Sequence, residues 1–329
     1  MSETFTIGKA LNLGLRRSLE RDPKVLLMGE DIGKLGGVFR VTDGLQKDFG
    51  EHRVIDTPLA ESSIMGTAIG LALRGFRPVT EVQFDGFVYV AFDQIVSQLA
   101  KMHARSGGSV RMPVTLRLPY GGGIGAVEHH SESPEAYFAH TAGLRVVTAS
   151  NPTDAFWLVQ QAIACDDPVI FLEPKRRYWD KAEVETSTDL ADAPLRMDQA
   201  KVVRSGKDVT VVCYGPMVRT CLEAAEAAAA DGLGLEVVDL RSLSPIDVDT
   251  VAASVSSTGR CVVVHEAPVF LGVGAEVAAR VTERCFYDLQ APVLRVGGFH
   301  APYPPSRIEQ QFLPDLDRVL DAVDRAMEF

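Results

Sequence analysis

Apolar positions recur along this chain in two alternating rhythms. Residues 5–20 place apolar side chains at helical spacing, and 24–31 then read as a buried strand. A glycine-rich loop (Gly33, Gly36, Gly37) follows, with a helix expected from Val38 to Phe49. Residues 77–84, 113–119, 144–148 and 169–172 read as further short strands, with a helix from about 153 to 165. Between 91 and 105, Phe92, Ile95, Val96, Leu99 and Met102 fall on one stripe, which predicts an amphipathic helix packed on a core or a subunit interface. From Pro174 to about Met197 the chain turns charged and irregular. Strands at 208–214, 235–239, 260–265 and 292–296 then alternate with helices at 216–230, 247–256 and 273–284. Short β-branched runs alternating with helices predict parallel sheets covered on both faces. Two α/β domains are expected, 1–180 and 198–329, joined by a linker over 181–197.

The stretch Val54 to Gly70 stands apart. Pro58 biases Thr57 towards extended backbone, and a helix is expected to begin near Glu61, capped by Ser62 or Ser63. Gly66 and Gly70, with Ala68 and Ala72, leave that helix nearly bare. Glycine inside a helix costs about 1 kcal/mol relative to alanine, so a close neighbour is expected. Small apolar residues after Glu61 place its carboxylate towards an interior, although a first-turn Glu is also what the helix dipole favours.

Composition narrows the function. A net charge of −11 over 329 residues argues against nucleic acid, since phosphate binding needs clustered Lys and Arg. The five cysteines are scattered, form no C-x-x-C, and read as free thiols in a reducing compartment. No apolar run approaches a bilayer span and the start lacks a signal-peptide layout, so a cytoplasmic protein is expected. Gly272-Val-Gly274 begins like a dinucleotide fingerprint, but valine replaces its third glycine and Glu266 to Leu271 separate it from the preceding strand, which disfavours a nicotinamide dehydrogenase. No phosphate loop, G-x-S-x-G elbow or H-E-x-x-H spacing is present.

Three features sit at strand ends of the first domain: Glu61, Phe87 in an Asp-Gly-Phe turn, and the adjacent His129 and His130 in a loop with four glycines. A carboxylate, a flat aromatic and an imidazole suit an aromatic cofactor by hydrogen bonding, stacking and proton transfer. A His pair in a loop is also commonly solvated or structural.

Ordered motifs sharpen this picture. Asp56-Thr-Pro-Leu-Ala-Glu61, Glu81-Val-Gln-Phe-Asp-Gly-Phe87, Phe92-Asp-Gln-Ile95, and His130-Ser-Glu-Ser-Pro-Glu-Ala-Tyr-Phe-Ala-His140 with Gly143-Leu-Arg-Val-Val147 resemble the β subunit of thiamine-diphosphate-dependent 2-oxo acid dehydrogenases, the E1 component. The resemblance runs over nearly the whole chain and implies a pyrimidine-binding domain followed by a transketolase C-terminal-like domain. It implies that Glu61 bonds N1′ of the cofactor's aminopyrimidine, that Phe87 stacks on that ring, that Leu59 contacts it, and that His130 reaches the site near the incoming lipoyl group. It assigns nothing to His129. It also implies a structural potassium ion held mostly by carbonyls, at Val114, Thr115, Ala162, Cys165 and Asp167.

Thiamine enzymes hold diphosphate and magnesium through a Gly-Asp-Gly motif followed by Asn. This chain has Thr42-Asp-Gly44 and Phe84-Asp-Gly86 but no Gly-Asp-Gly. The resemblance therefore implies half a site, completed by an α subunit that carries the magnesium, in an α2β2 heterotetramer serving an E2 acyltransferase core and its lipoyl domain. Pro134, where pyruvate enzymes are expected to have Leu, and Glu173-Pro-Lys-Arg-Arg-Tyr-Trp179 resemble the branched-chain (2-oxoisovalerate) type. Pyruvate or acetoin dehydrogenase β subunits are the alternatives, as is a non-catalytic β-like subunit that only docks the acyltransferase core.

Overall fold

The computed structural model describes residues 2–186 and 189–329. In chain order the strands of the first half are β1 (Ser2–Thr6), β2 (Val25–Gly29), β3 (Val54–Asp56), β4 (Arg77–Glu81), β5 (Thr115–Tyr120), β6 (Arg145–Thr148), β7 (Val169–Pro174) and β8 (Lys181–Glu185). The second half adds β9 (Lys201–Arg204), β10 (Val209–Cys213), β11 (Leu235–Asp239), β12 (Ser242–Ser244), β13 (Cys261–Pro268) and β14 (Leu294–Gly298). One sheet runs β12-β6-β7-β5-β4-β2-β3 and is parallel except for β12. The other runs β14-β13-β10-β11-β9 and is parallel except for its edge strand β9. This is the two-domain α/β architecture that the alternating periodicity predicts.

Local chemistry explains the main elements. The Thr6 side chain caps the helix Ile7–Arg21 by accepting from Lys9 N–H, and its apolar face buries Ile7, Leu11, Leu15 and Leu19. That helix crosses the helix Pro152–Ala164 so closely that a Cβ on Gly14 would come within 2.4 Å of Val159 Cγ1, which is why glycine stands there. Asn151 caps the second helix and Pro152 takes its first turn. Strands β2, β5, β7 and β10 are buried at every position, as expected of strands covered on both faces.

Several expectations are corrected. The helix expected over 38–49 is confined to Leu45–Phe49, because Gly36, Gly37 and Gly44 take positive φ and keep the preceding segment in turns. The helix expected over 91–105 is present as one unbroken helical run, which passes from a 3-10 segment ending at Ala91 through a π turn over Gln94–Leu99 into an α-helix from Ala100 to Arg105. Its apolar positions still pack on the core. Neither Ser62 nor Ser63 caps the helix Glu61–Leu73; Ala60 holds the cap position and Ser62 Oγ donates to Val90 O instead. Among the described residues Gly70 meets nothing and Gly66 meets only Gln94 at an ordinary distance, so the expected close neighbour is not found among them. The stretch 181–197 is not wholly irregular, since β8 pairs antiparallel with β1; its residues 187 and 188 lie outside the described residues. The final helix Leu316–Met327, absent from the sequence reading, buries Val319, Ala322, Val323 and Ala326 beside β13 and β14.

The two halves interlock. β12, from the second half, adds to the first sheet beside β6. Next to it the buried Arg241 binds Asp154 at 2.8 Å and the carbonyls of Arg196 and Gln199. Across the same joint Tyr214 donates to Glu135 Oε1 at 2.8 Å, while Oε2 is buried without a partner among the described residues. Burial pushes the Glu135 carboxyl up to about 7, against about 4.3 in an unfolded chain. A raised carboxyl contributes stability below its unfolded value and loses it as pH rises to the folded one. Glu135→Gln is therefore expected to gain melting temperature over the parent between about pH 4 and about pH 7, and to hold that gain above. Differential scanning calorimetry across this range measures it; a pH-independent difference contradicts it.

All five cysteines are free, four of them buried and Cys165 partly so. Among the described residues no helix is long and apolar enough to cross a membrane.

Candidate active site

In an open parallel sheet, binding crevices lie beyond the strand carboxyl ends. The loops that leave β2, β3, β4, β5 and β7 at that edge carry Glu30, Leu59 with Glu61, residues 83–87, residues 121–134, and Lys175. Parallel strands force these segments to one side of the sheet, although they are far apart in sequence.

Glu61 opens its helix and is only 6% exposed, as its apolar neighbours predict. Behind it lies a second buried carboxyl, Glu30, which the sequence reading did not single out. Burial raises the Glu30 pKa first, and the charges of Glu61 and Asp31 raise it further, against a partial offset from Ala60 N–H. Its Oε1 is buried without a partner among the described residues. Leu59 is 81% exposed and reaches no core. The helix Glu61–Leu73 also leaves Ser63, Thr67 and Gly70 exposed. This edge of the site is open in the isolated chain.

Phe87 lies in the 3-10 turn Asp85–Ala91, which packs against the Glu61 helix. Its ring meets that of Phe84 at 5.8 Å and that of His130 at 5.1 Å. Phe84 is closer still to His130, with centroids 4.1 Å apart. The imidazole thus sits between two aromatic rings. Its Nδ1 is buried and has no partner among the described residues. Burial lowers the His130 pKa, the charges of His129 and Lys175 push the same way, and Glu128 opposes them. A neutral imidazole with a free ring nitrogen can hold or pass a proton near neutral pH. His129 is exposed; its backbone defines the loop, for a Cβ on Gly86 would meet His129 O at 2.4 Å. Gly86→Ala should therefore push the Phe87 turn away from the histidine loop, cost activity by roughly tenfold or more and lower stability by about 1–3 kcal/mol. Wild-type kcat in this variant would remove the close approach from the account.

Beneath the aromatic floor lies a buried charge network. Arg117 Nε and Nη2 bond both Glu173 oxygens at 2.6 and 2.9 Å, and Nη1 bonds Glu81 at 2.5 Å. Tyr178 donates to Glu173 at 2.5 Å. Burial raises the Glu81 pKa, with Arg117 opposing.

The residues expected to hold potassium fall at the opposite edge, where β5 and β7 begin. Val114 O accepts from Val169 N–H at 2.9 Å, and Ala162 O from Cys165 N–H at 3.2 Å. Thr115 O faces Thr80 Oγ1 at 3.5 Å. Cys165 O accepts from Arg77, and the Asp167 carboxylate pairs with Arg145. They gather around one helix end, far from the aromatic turn along the strands.

Comparison with known proteins places this geometry in a class. The transketolase pyrimidine binding domain family matches residues 3–180, and the transketolase C-terminal domain family matches residues 198–319. A solved split-gene transketolase, described as an inactive β4 tetramer, superposes with a TM-score of 0.78 over 98% of both chains at 24% identity. The fold is that of a transketolase-type, thiamine-diphosphate-family chain.

Closer relatives narrow the class. A pyruvate dehydrogenase E1 component subunit beta from Leifsonia xyli is 60% identical, with 99% of this chain and 96% of that protein covered. A 3-methyl-2-oxobutanoate dehydrogenase subunit beta from Mycobacterium tuberculosis is 56% identical, covering 99% and 93%. A pyruvate dehydrogenase E1 component subunit beta from Staphylococcus epidermidis is 46% identical over 99% of both chains. The chain belongs to the β subunits of 2-oxo acid dehydrogenase E1 components.

Proposed function

We propose that this chain holds the aminopyrimidine half of thiamine diphosphate in a branched-chain 2-oxo acid dehydrogenase, and that it works only with an α subunit. The observation that carries the reading is the gathering of buried Glu61 with Phe87 and His130 at one sheet edge, with buried polar atoms on Glu30 and His130 that have no partner among the described residues. These residues fit the group. Glu61 would bond N1′ and hold a proton there, Phe87 would stack on the pyrimidine, and exposed Leu59 would contact the same ring. When bound, the cofactor supplies the electron sink for decarboxylation. His130, neutral near pH 7, would pass a proton to or from the lipoyl sulfur of the E2 acyltransferase as the acyl group is accepted.

The missing Gly-Asp-Gly supports a diphosphate and magnesium site on the α chain of an α2β2 heterotetramer, and the open face of the Glu61 helix suits such a neighbour. The free cysteines suit a reducing compartment such as the cytoplasm. The five potassium residues would act on the fold rather than the chemistry: a higher melting temperature in potassium than in choline chloride is expected, and equal values would remove the ion.

Pro134 and Glu173 to Trp179 support the branched substrate. Pyruvate is the second reading, favoured by the name of the relative at 60% identity. Purified with its α chain, the enzyme is expected to show kcat/KM for 2-oxoisovalerate at least about tenfold above that for pyruvate, the discrimination that a pocket shaped for extra methyl groups provides. The reverse order would keep the mechanism and replace the substrate.

A further inference from the structure

Three segments of the site meet at Lys175, whose side chain is wholly buried. Its ammonium donates to Asp85 Oδ1 and, at 2.6 Å, to the carbonyl of His130. The second Asp85 oxygen accepts from Glu132 N–H. One cation thus ties the end of β7 to the turn that carries Phe87 and to the loop that carries His130. The same ammonium lies 5.5 Å from the centre of the Phe84 ring, which in turn packs at 4.1 Å on the His130 imidazole. Both charges are out of water, with Asp85 at 0% and Lys175 at 2% exposure. Stability alone is a weak reason for such a pair, because apolar residues of similar size would fill the space as well or better.

We propose that Lys175 is a positioning residue: by clamping the Asp85 turn and the His130 carbonyl together, it fixes where the His130 imidazole stands between Phe84 and Phe87. The clamp also places a charge beside the imidazole. The charged groups around His130 are Glu128, His129 and Glu132 on its own loop, Lys175 at the end of β7, and Asp85 on the turn. Lys175 favours the neutral ring, so removing its charge should let His130 titrate at higher pH. The kinetic consequence rests on the reading that Phe87 and His130 serve the thiamine cofactor; the titration does not.

The test uses the full chain in complex with its α subunit, without cofactor. Exchange of each histidine C2 proton for deuterium, followed over pH by mass spectrometry, reads His130 by itself. Three variants are compared with the parent: Lys175→Met, Lys175→Met with Asp85→Leu, and Asp85→Asn. Lys175→Met leaves a buried carboxyl alone and is expected to lose the most stability, whereas the double variant removes both charges and should lose less, through the Glu132 N–H and His130 carbonyl that it deprives of their partners. In both variants that lack the lysine, His130 is expected to titrate at higher pH, and in Asp85→Asn it is not. With cofactor restored, the double variant should keep its KM for the 2-oxo acid within about threefold while kcat falls about ten- to a hundredfold. A double variant that melts, titrates and turns over like the parent would overturn the proposal. If Lys175→Met fails to fold, the double variant and Asp85→Asn decide the matter. Failure of the functional reading would be seen separately, as full activity in a Glu61→Gln variant, and would leave the titration result standing.

Discussion

Replacing Glu61 with glutamine is expected to cut thiamine-diphosphate-dependent decarboxylation by roughly a thousandfold, while melting temperature and assembly with the α subunit stay as in the parent. The substitution keeps shape and hydrogen-bonding length but removes the acid that would share a proton with N1′ of the aminopyrimidine. Stability should survive for a structural reason. Glu61 makes no cap, since Ala60 holds that position without a side-chain bond. The charge of Glu61 also raises the pKa of buried Glu30, so its removal relieves a like-charge contact. Steady-state decarboxylation with an artificial electron acceptor, beside a thermal melt, measures both arms. Turnover within about tenfold of the parent would take Glu61 out of the chemistry.

The largest effect on stability is expected at Arg117. Its guanidinium is the only cation bonded to Glu81 and Glu173 among the described contacts, and both carboxylates are buried. Arg117→Met leaves two buried carboxyl groups facing each other, and breaking a buried ion pair in this way costs about 3–5 kcal/mol. The sign of the pH dependence follows. Glu81 is already raised by burial with Arg117 opposing, so without the guanidinium it rises further. A carboxyl raised in the folded state loses its contribution as pH climbs. The deficit of the variant should therefore widen from acidic pH to pH 8. Urea unfolding at pH 5.5 and pH 8 measures it, and a deficit that is equal at both, or below about 1 kcal/mol, would show that the carboxylates find other partners.

Much of this architecture was legible because the signals are local. Apolar spacing predicts the helix over 5–20 that the structure places at Ile7–Arg21, and the helix expected from about 153 to 165 is found at Pro152–Ala164, while β-branched runs predict strands buried on both faces. What the sequence hid depends on distance along the chain. Lys175 sits in a Lys-Arg-Arg run that reads as solvated charge, yet it is buried because Asp85, 90 residues earlier, lies at the next strand end but one. Glu30 belongs to a Glu-Asp pair that looks like surface, and only the parallel pairing of β2 with β3 brings it beside Glu61. Three-residue β12 has no periodicity to read, and its place beside β6 follows from the joint between the domains. The final helix did carry a legible apolar spacing at Leu316, Val319, Leu320 and Val323. For Glu61, Phe87 and His130 the residue types suggested chemistry, but their roles came from the family resemblance and not from spacing.

The central claim is that this chain supplies one half of a thiamine diphosphate site. Calorimetric titration of thiamine diphosphate with magnesium, into the chain alone and into its complex with a Gly-Asp-Gly-bearing α subunit, tests it most directly. Saturable binding by the complex, together with none by either chain alone, is the predicted result. Saturable binding by the lone chain, or a well-formed complex that binds no cofactor, would contradict it.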